Sequence, residues 1–169
     1  MVAFLSTPPL WGLDPGLAPD RYIRRQWDLR NGLPQNSVVS LAQTPDGYLW
    51  IATFGGLVRF NGSRFKLFTP ASDPGLATIR TAHLMADREG VLWVGMEQRG
   101  LARLMARRAV PFADGPWTGR ETVNHLAEGP DGAVWAATEG GLFRFHRGAV
   151  RRWTAAEGPS QTAPFTRRR

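Results

Sequence analysis

Three sets of residues in this sequence have types and spacings suited to chemistry. His83 and His125 stand ten residues before Trp93 and Trp135, with Ser40 at the same distance before Trp50. Two imidazoles on adjacent strands could share a metal or a ligand, and the plainer reading is a polar slot packed between repeats. Asp46 and Asp131 directly precede glycines and Glu89 fills the same slot. A carboxylate there caps its own backbone, so these acids read as turn residues rather than as a general acid and base. The third set, Arg80, Gln98 and Arg99, lies on loops with Gln35, Asn36, Phe54 and Glu139. Side chains of that kind hold anionic or sugar groups. No Gly-rich phosphate loop, nucleophile elbow or paired-His zinc motif occurs, and with no cysteine there is neither a disulfide framework nor a thiolate metal site. Catalytic residues, a metal site and a cofactor are therefore not expected.

What positions these residues is a repeat. "DGYLWIATFGGLVRF" from Asp46 returns as "EGVLWVGMEQRGLARL" from Glu89 and as "DGAVWAATEGGLFRF" from Asp131, with Trp50, Trp93 and Trp135 spaced by 43 and 42 residues. Self-similarity at that period marks an array of small units, none able to bury its apolar face alone. Within a unit, "NSVVSLAQT", "YLWIATF", "LVRF" and "SRFKLF" are separated by Asp-Gly, Gly-Gly and Asn-Gly. Those pairs permit the positive φ angles of hairpin turns, so each unit reads as a four-stranded antiparallel meander. Glycine and proline are too frequent for helical repeats. Repeats are expected at about 32–72, 77–116 and 120–156, after an irregular segment 1–20 and a strand over 21–28. Residues 156–169 read as an aborted fourth repeat with a basic tail. The middle copy has one extra residue between Trp93 and Gly100, and "MARRAVPF" suggests a longer third hairpin there. The fold class is all-β, a partial propeller of about three blades, incomplete because closed propellers have about four to eight. Trp50, Trp93 and Trp135 are expected to be buried between blades.

The stretch "GLPQNSVVSLAQTPDGYLWIATFGGLVRFNG", residues 32 to 62, resembles the two-component regulator propeller repeat of the extracytoplasmic sensor region of bacterial hybrid histidine kinases and diguanylate cyclases. The resemblance covers about residues 20 to 155. It implies a ligand-sensing propeller module in signal transduction, located in the periplasm, with a carbohydrate or other small ligand. In that family two seven-bladed propellers commonly precede an immunoglobulin-like domain, a membrane helix and a cytoplasmic output module, and no counterpart of those later parts is read here. Two other readings stand beside it. One is a structural or interaction remnant of a truncated gene. The other is a propeller lactonase or lyase, for which only His83 and His125 are channel candidates.

The formal charge of +7 comes from 20 Arg and one Lys against 14 acidic residues. Clustered arginine would suit nucleic acid or an acidic polysaccharide. Here the arginines are scattered through all three copies and no recognition-helix pattern accompanies them, so no nucleic-acid partner is expected. The N-terminus "MVAFLSTPPLWGL" lacks both a charged n-region and a long apolar core, and no apolar run of about 18 residues could span a membrane. Taken literally the start implies a cytoplasmic chain, in contrast to the periplasmic site that the resemblance implies. Three blades leave two faces without neighbours. Self-association through those open faces is expected, a six-bladed ring of two copies being one form of it, or else a chain that stays partly unfolded.

Overall fold

The computed structural model describes residues 18, 21, 25–105, 108–112 and 120–154. These form three four-stranded antiparallel sheets, each a meander in chain order. The first contains β1 (Val38–Gln43), β2 (Leu49–Thr53), β3 (Gly56–Phe60) and β4 (Phe65–Phe68). The second contains β5 (Thr81–Ala86), β6 (Leu92–Met96), β7 (Gly100–Met105) and β8 (Arg108–Pro111). The third contains β9 (Val123–Glu128), β10 (Val134–Thr138), β11 (Gly141–His146) and β12 (Ala149–Trp153). The first strands of successive sheets are neighbours, β1 beside β5 and β5 beside β9, so each is the innermost strand of its blade.

The turn between the first two strands is the same device in each blade. Gly47, Gly90 and Gly132 take φ values of 84°, 83° and 79°, in the left-handed region that glycine enters without steric cost. The turn N–H groups close on a residue three before: Gly47 on Thr44, Gly90 on Asp87 and Gly132 on Gly129. In the third hairpin of blade one, Asn61 Oδ1 accepts the backbone N–H groups of Ser63 (3.0 Å) and Arg64 (2.7 Å), as a short polar side chain does in an Asx turn. The corresponding hairpin of blade two is not longer, as the sequence suggested. Only residues 106–107 separate β7 from β8, because both strands run to the turn and pair Met105 with Arg108.

Period-two alternation gives every blade two faces. One carries the repeat tryptophan: Trp50 lies opposite Arg59, Trp93 opposite Arg103 and Trp135 opposite Arg144. The other carries Leu41, Leu84 or Leu126 on the innermost strand. The tryptophan face of one blade packs on the leucine face of the next. Trp50, Leu57 and Phe68 meet Leu84, Val94 and Leu104 in one core, and Trp93, Leu101 and Phe112 meet Leu126, Ala136 and Phe143 in a second. A third, smaller core covers part of the leucine face of blade one, where Leu33 packs on Ile51, Val58 and Phe60.

Position in the array therefore decides burial. Trp50 (3% exposed) and Trp93 (6%) are buried, but Trp135 is only half-buried, contrary to the expectation from the repeat. Its face has no following blade among the described residues. Of the strand expected over 21–28, residues 22–24 lie outside the described residues and 25–28 pair with no strand. Such a strand needs the outer edge of a further blade, and β12 already fills the outer position of the third. The segment instead leads into a 3₁₀ turn at Leu29–Asn31, capped by Asp28, whose carboxylate accepts the Arg30 N–H. The irregular segment 1–20, apart from residue 18, and the tail 156–169 lie outside the described residues.

Candidate functional site

The loop leading into each blade and the hairpin between its second and third strands emerge on one side. Backbone and side-chain hydrogen bonds fix this directly: Phe54 N donates to Gln35 Oε1 (3.0 Å), Glu97 N to the Arg80 carbonyl (3.1 Å) and Glu139 N to the Thr122 carbonyl (3.4 Å). The same side thus displays Gln35, Phe54, Arg80, Gln98, Arg99 and Glu139, which the sequence placed on loops.

Arg80 is engaged within the protein. It forms an ion pair with Glu97, and its guanidinium carbon lies 4.9 Å above the Phe54 ring of the preceding blade. Hydrogen bonding and charge from Glu97 hold the Arg80 guanidinium more firmly protonated than usual. Gln98 carries the extra residue of the middle repeat, in a left-handed conformation with φ 52°, and donates its backbone N–H to Thr122 Oγ1 of the next blade (3.2 Å). This bond, with Gly100 N on the Glu121 carbonyl (3.0 Å), ties the widened β6–β7 hairpin to the third blade. Arg99 at the tip is exposed and makes no ion pair with another described residue. The three predicted residues lie on one side, with Arg80 anchored and Arg99 exposed.

His83 and His125 come together as the spacing required, with ring centroids 4.3 Å apart on neighbouring innermost strands. Their role is legible from Ser40, the third residue in that register. Ser40 Oγ accepts the backbone N–H of Leu84 (3.0 Å), and His83 Nδ1 accepts that of Leu126 (3.3 Å). The slot is a blade-to-blade acceptor. Burial, reinforced by the charge of His125, pushes the His83 pKa down and favours the neutral acceptor form. Among the described residues no group of three or more His, Asp or Glu side chains is placed to hold a metal ion.

Sequence reasoning missed a second conserved geometry within the array, on the opposite side. Arg59, Arg103 and Arg144 each stack near their cross-strand tryptophan, at 5.8, 5.5 and 5.7 Å from the ring centroids. Arg103 lies against Trp93 and Phe112, with a buried Nε that has no hydrogen-bond partner among the described residues. It lines a cavity of about 530 Å³ between blades two and three with Arg88, Asp131 and His146. Arg88 crosses this junction to Glu128 (2.5 Å) and to the Gly129 carbonyl (2.7 Å). An Arg nine or ten residues after each Trp was the available signal, and it becomes meaningful only once hairpin register is counted.

Comparison with known proteins places this geometry. Residues 32–55 match the family described as "Two component regulator propeller". No curated protein matches the chain. Among solved structures the chain is similar to the extracellular domain of the hybrid two-component system BT3049 from B. thetaiotaomicron, with a TM-score of 0.67 at 21% identity over 79% of this chain and 19% of that one. The extracellular domain of BT4673 from the same organism gives 0.61 at 23% identity, over 79% and 18%. A streptogramin B lyase is similar more distantly, with a TM-score of 0.51 at 16% identity over 72% and 41%. The chain spans about a fifth of the length of the two extracellular domains. At these identities the likeness is one of fold, that of propeller blades. No helix among the described residues is long and apolar enough to cross a membrane. Residues 32–55 thus match one repeat of the two-component regulator propeller family, and two further blades are built on the same four-stranded plan.

Proposed function

We propose that the chain acts as a ligand-sensing set of blades in the periplasmic sensor region of a bacterial two-component system, and that its ligand is a small anionic molecule or acidic saccharide held at the β6–β7 hairpin. The observation that carries this reading is Arg99, an exposed guanidinium on a hairpin widened by Gln98 and pinned to the next blade. A rigid sheet array with one projecting basic loop is the usual construction of a binding surface, because the scaffold fixes the loop before the ligand arrives. The match of residues 32–55 to a repeat of the two-component regulator propeller family and the fold shared with extracellular domains of two-component systems support the sensor role.

Titration of an acidic oligosaccharide series by calorimetry, with wild type and Arg99→Ala, tests it. A charge-assisted hydrogen bond contributes about 1.5–3 kcal/mol, so the variant should bind roughly tenfold or more weakly. Wild-type affinity should also fall as salt rises, since exposed charges are screened beyond about 10 Å at 0.1 M. Equal affinity of the two proteins for every member of the series would remove the hairpin from the binding site.

A further inference from the structure

Among the described residues, the tryptophan face of blade three and the innermost-strand part of the leucine face of blade one, which Leu33 leaves open, correspond to the two halves of the junction that the molecule already makes twice. We infer that the tryptophan face of the third blade is a docking surface for the leucine face of the first blade of a second copy, head to tail. Leu57 (0% exposed) and Leu101 (1%) are buried on the tryptophan faces of blades one and two, while their counterpart Leu142 is 40% exposed. On the leucine faces, Leu84 and Leu126 are 3% and 2% exposed against 56% for Leu41. The residue three before each of those leucines repeats the contrast, with Thr81 and Val123 fully buried and Val38 43% exposed. On blade three the open surface is the one that a blade covers elsewhere, and on blade one it is the innermost-strand part of that surface, beside the patch over Ile51 and Phe60 that Leu33 covers.

Polar and steric details match in the same way. Each internal junction bonds the N–H of the innermost-strand leucine to the acceptor slot of the preceding blade, Leu84 to Ser40 and Leu126 to His83. His125 is that acceptor on the open face of blade three, and Leu41 carries the corresponding N–H. At the turn, a side chain added at Gly90 would meet Pro45 of the preceding blade at 3.2 Å, so Pro45 lies against that glycine. Pro130 occupies the position of Pro45 in blade three, and Gly47, the counterpart of Gly90, has open space around it. Ala137 stands where Ala52 does, and Val38 corresponds to Val123, the valine that packs on Gly95 of the preceding blade at the second junction. Contact of this kind is heterologous, and it closes into a ring or runs on as a filament. Two copies of the three described blades supply six, within the about four to eight that closed propellers hold.

The test is the mass of the 169-residue chain in solution. Light scattering coupled to size exclusion should give twice the 18.7 kDa of one chain for wild type. Leu142→Arg and Leu41→Arg each place a charge on one of the two faces at an exposed position, so both should fold, with near-ultraviolet circular dichroism as the check. Each variant alone should run as a monomer, because every junction then has one spoiled half, and Val38→Arg should repeat the result of Leu41→Arg. Mixing Leu142→Arg with Leu41→Arg restores one intact junction and should bring back the dimer mass. A monomeric wild type overturns the inference. So does a Leu41→Arg protein that keeps the dimer mass, which would mean pairing of like faces, or a mixture that stays monomeric.

Discussion

Trp93 and Trp135 occupy the same repeat position, and removing them should not have the same cost. Trp93 is enclosed between two blades and donates Nε1–H to Asp87 Oδ2 at 2.7 Å. Trp50 makes the equivalent bond to Thr44 Oγ1 at 3.0 Å, whereas the residue six before Trp135 is Gly129, which has no side chain to offer. Trp93→Ala should therefore destabilise by about 3–5 kcal/mol, and Trp135→Ala by only about 1–2, in denaturant titration. Equal losses would mean that position in the array does not govern burial. His83 gives the pH counterpart. Its folded pKa is pushed below the ordinary imidazole value by burial first and His125 second, so the unfolded chain binds the proton more readily. The stability it supports is complete above about pH 6.5 and is lost as the pH falls from there toward the depressed folded value. His83→Ser copies the Ser40 acceptor without a titrating group. It should flatten this part of the stability curve, and an unchanged slope would clear His83 of the effect. Much of this scale was legible, including the shared register of His83, His125 and Ser40 and the loop placement of Arg80, Gln98 and Arg99. The partners were not. That Arg80 pairs with Glu97 and Arg88 with Glu128 depends on which blade lies beside which, and side-chain reach across a junction leaves no mark on spacing.

At the scale of elements, the junction between β6 and β9 depends on the absence of a side chain. A Cβ at Gly95 would lie 2.7 Å from Val123 Cγ1 and 2.8 Å from its Cβ, closer than packed atoms approach. Gly95→Ala should destabilise by roughly 1–3 kcal/mol through overpacking. Val123→Ala in the same chain should recover part of the loss, because residues in contact couple in a double-mutant cycle. Additive losses would show that the two strands relax independently. The twelve strands themselves were readable from Asp-Gly, Gly-Gly and Asn-Gly and from alternating apolar residues. The third hairpin of blade two was not, since "MARRAVPF" lacks a glycine turn and the strands simply extend to residues 105 and 108. Nor does the sequence distinguish Gly95 from its counterparts Ala52 and Ala137 until Val123 is seen above it.

For the whole molecule, an array whose units contact only their neighbours has a stability that is a sum of unit and junction contributions. Among the described residues, blade two is packed on both faces, blade one on its tryptophan face with partial cover from Leu33, and blade three on one face alone. Amide hydrogen exchange under conditions that keep the chain monomeric should therefore be slowest in β6 and β7 and fastest in β11 and β12, following local opening rather than strand length. Uniform protection across the three sheets would mean that the array opens only as a unit. The count of three blades and their order were legible because the period is a property of the sequence. The asymmetry between middle and end blades was only partly so, because identical motifs acquire different surroundings from their place in the row.

The uncovered face of blade three also holds Trp135 and Trp153 with ring centroids 5.5 Å apart and 24° from parallel. Two indoles at that separation share their electronic excitations, and such coupling produces a paired positive and negative circular dichroism band that a lone indole lacks. The chain therefore carries an intrinsic optical gauge at its open end. Trp153→Phe should abolish the couplet while leaving the sheets intact, and anything that settles over this face should change its amplitude without the need for a dye.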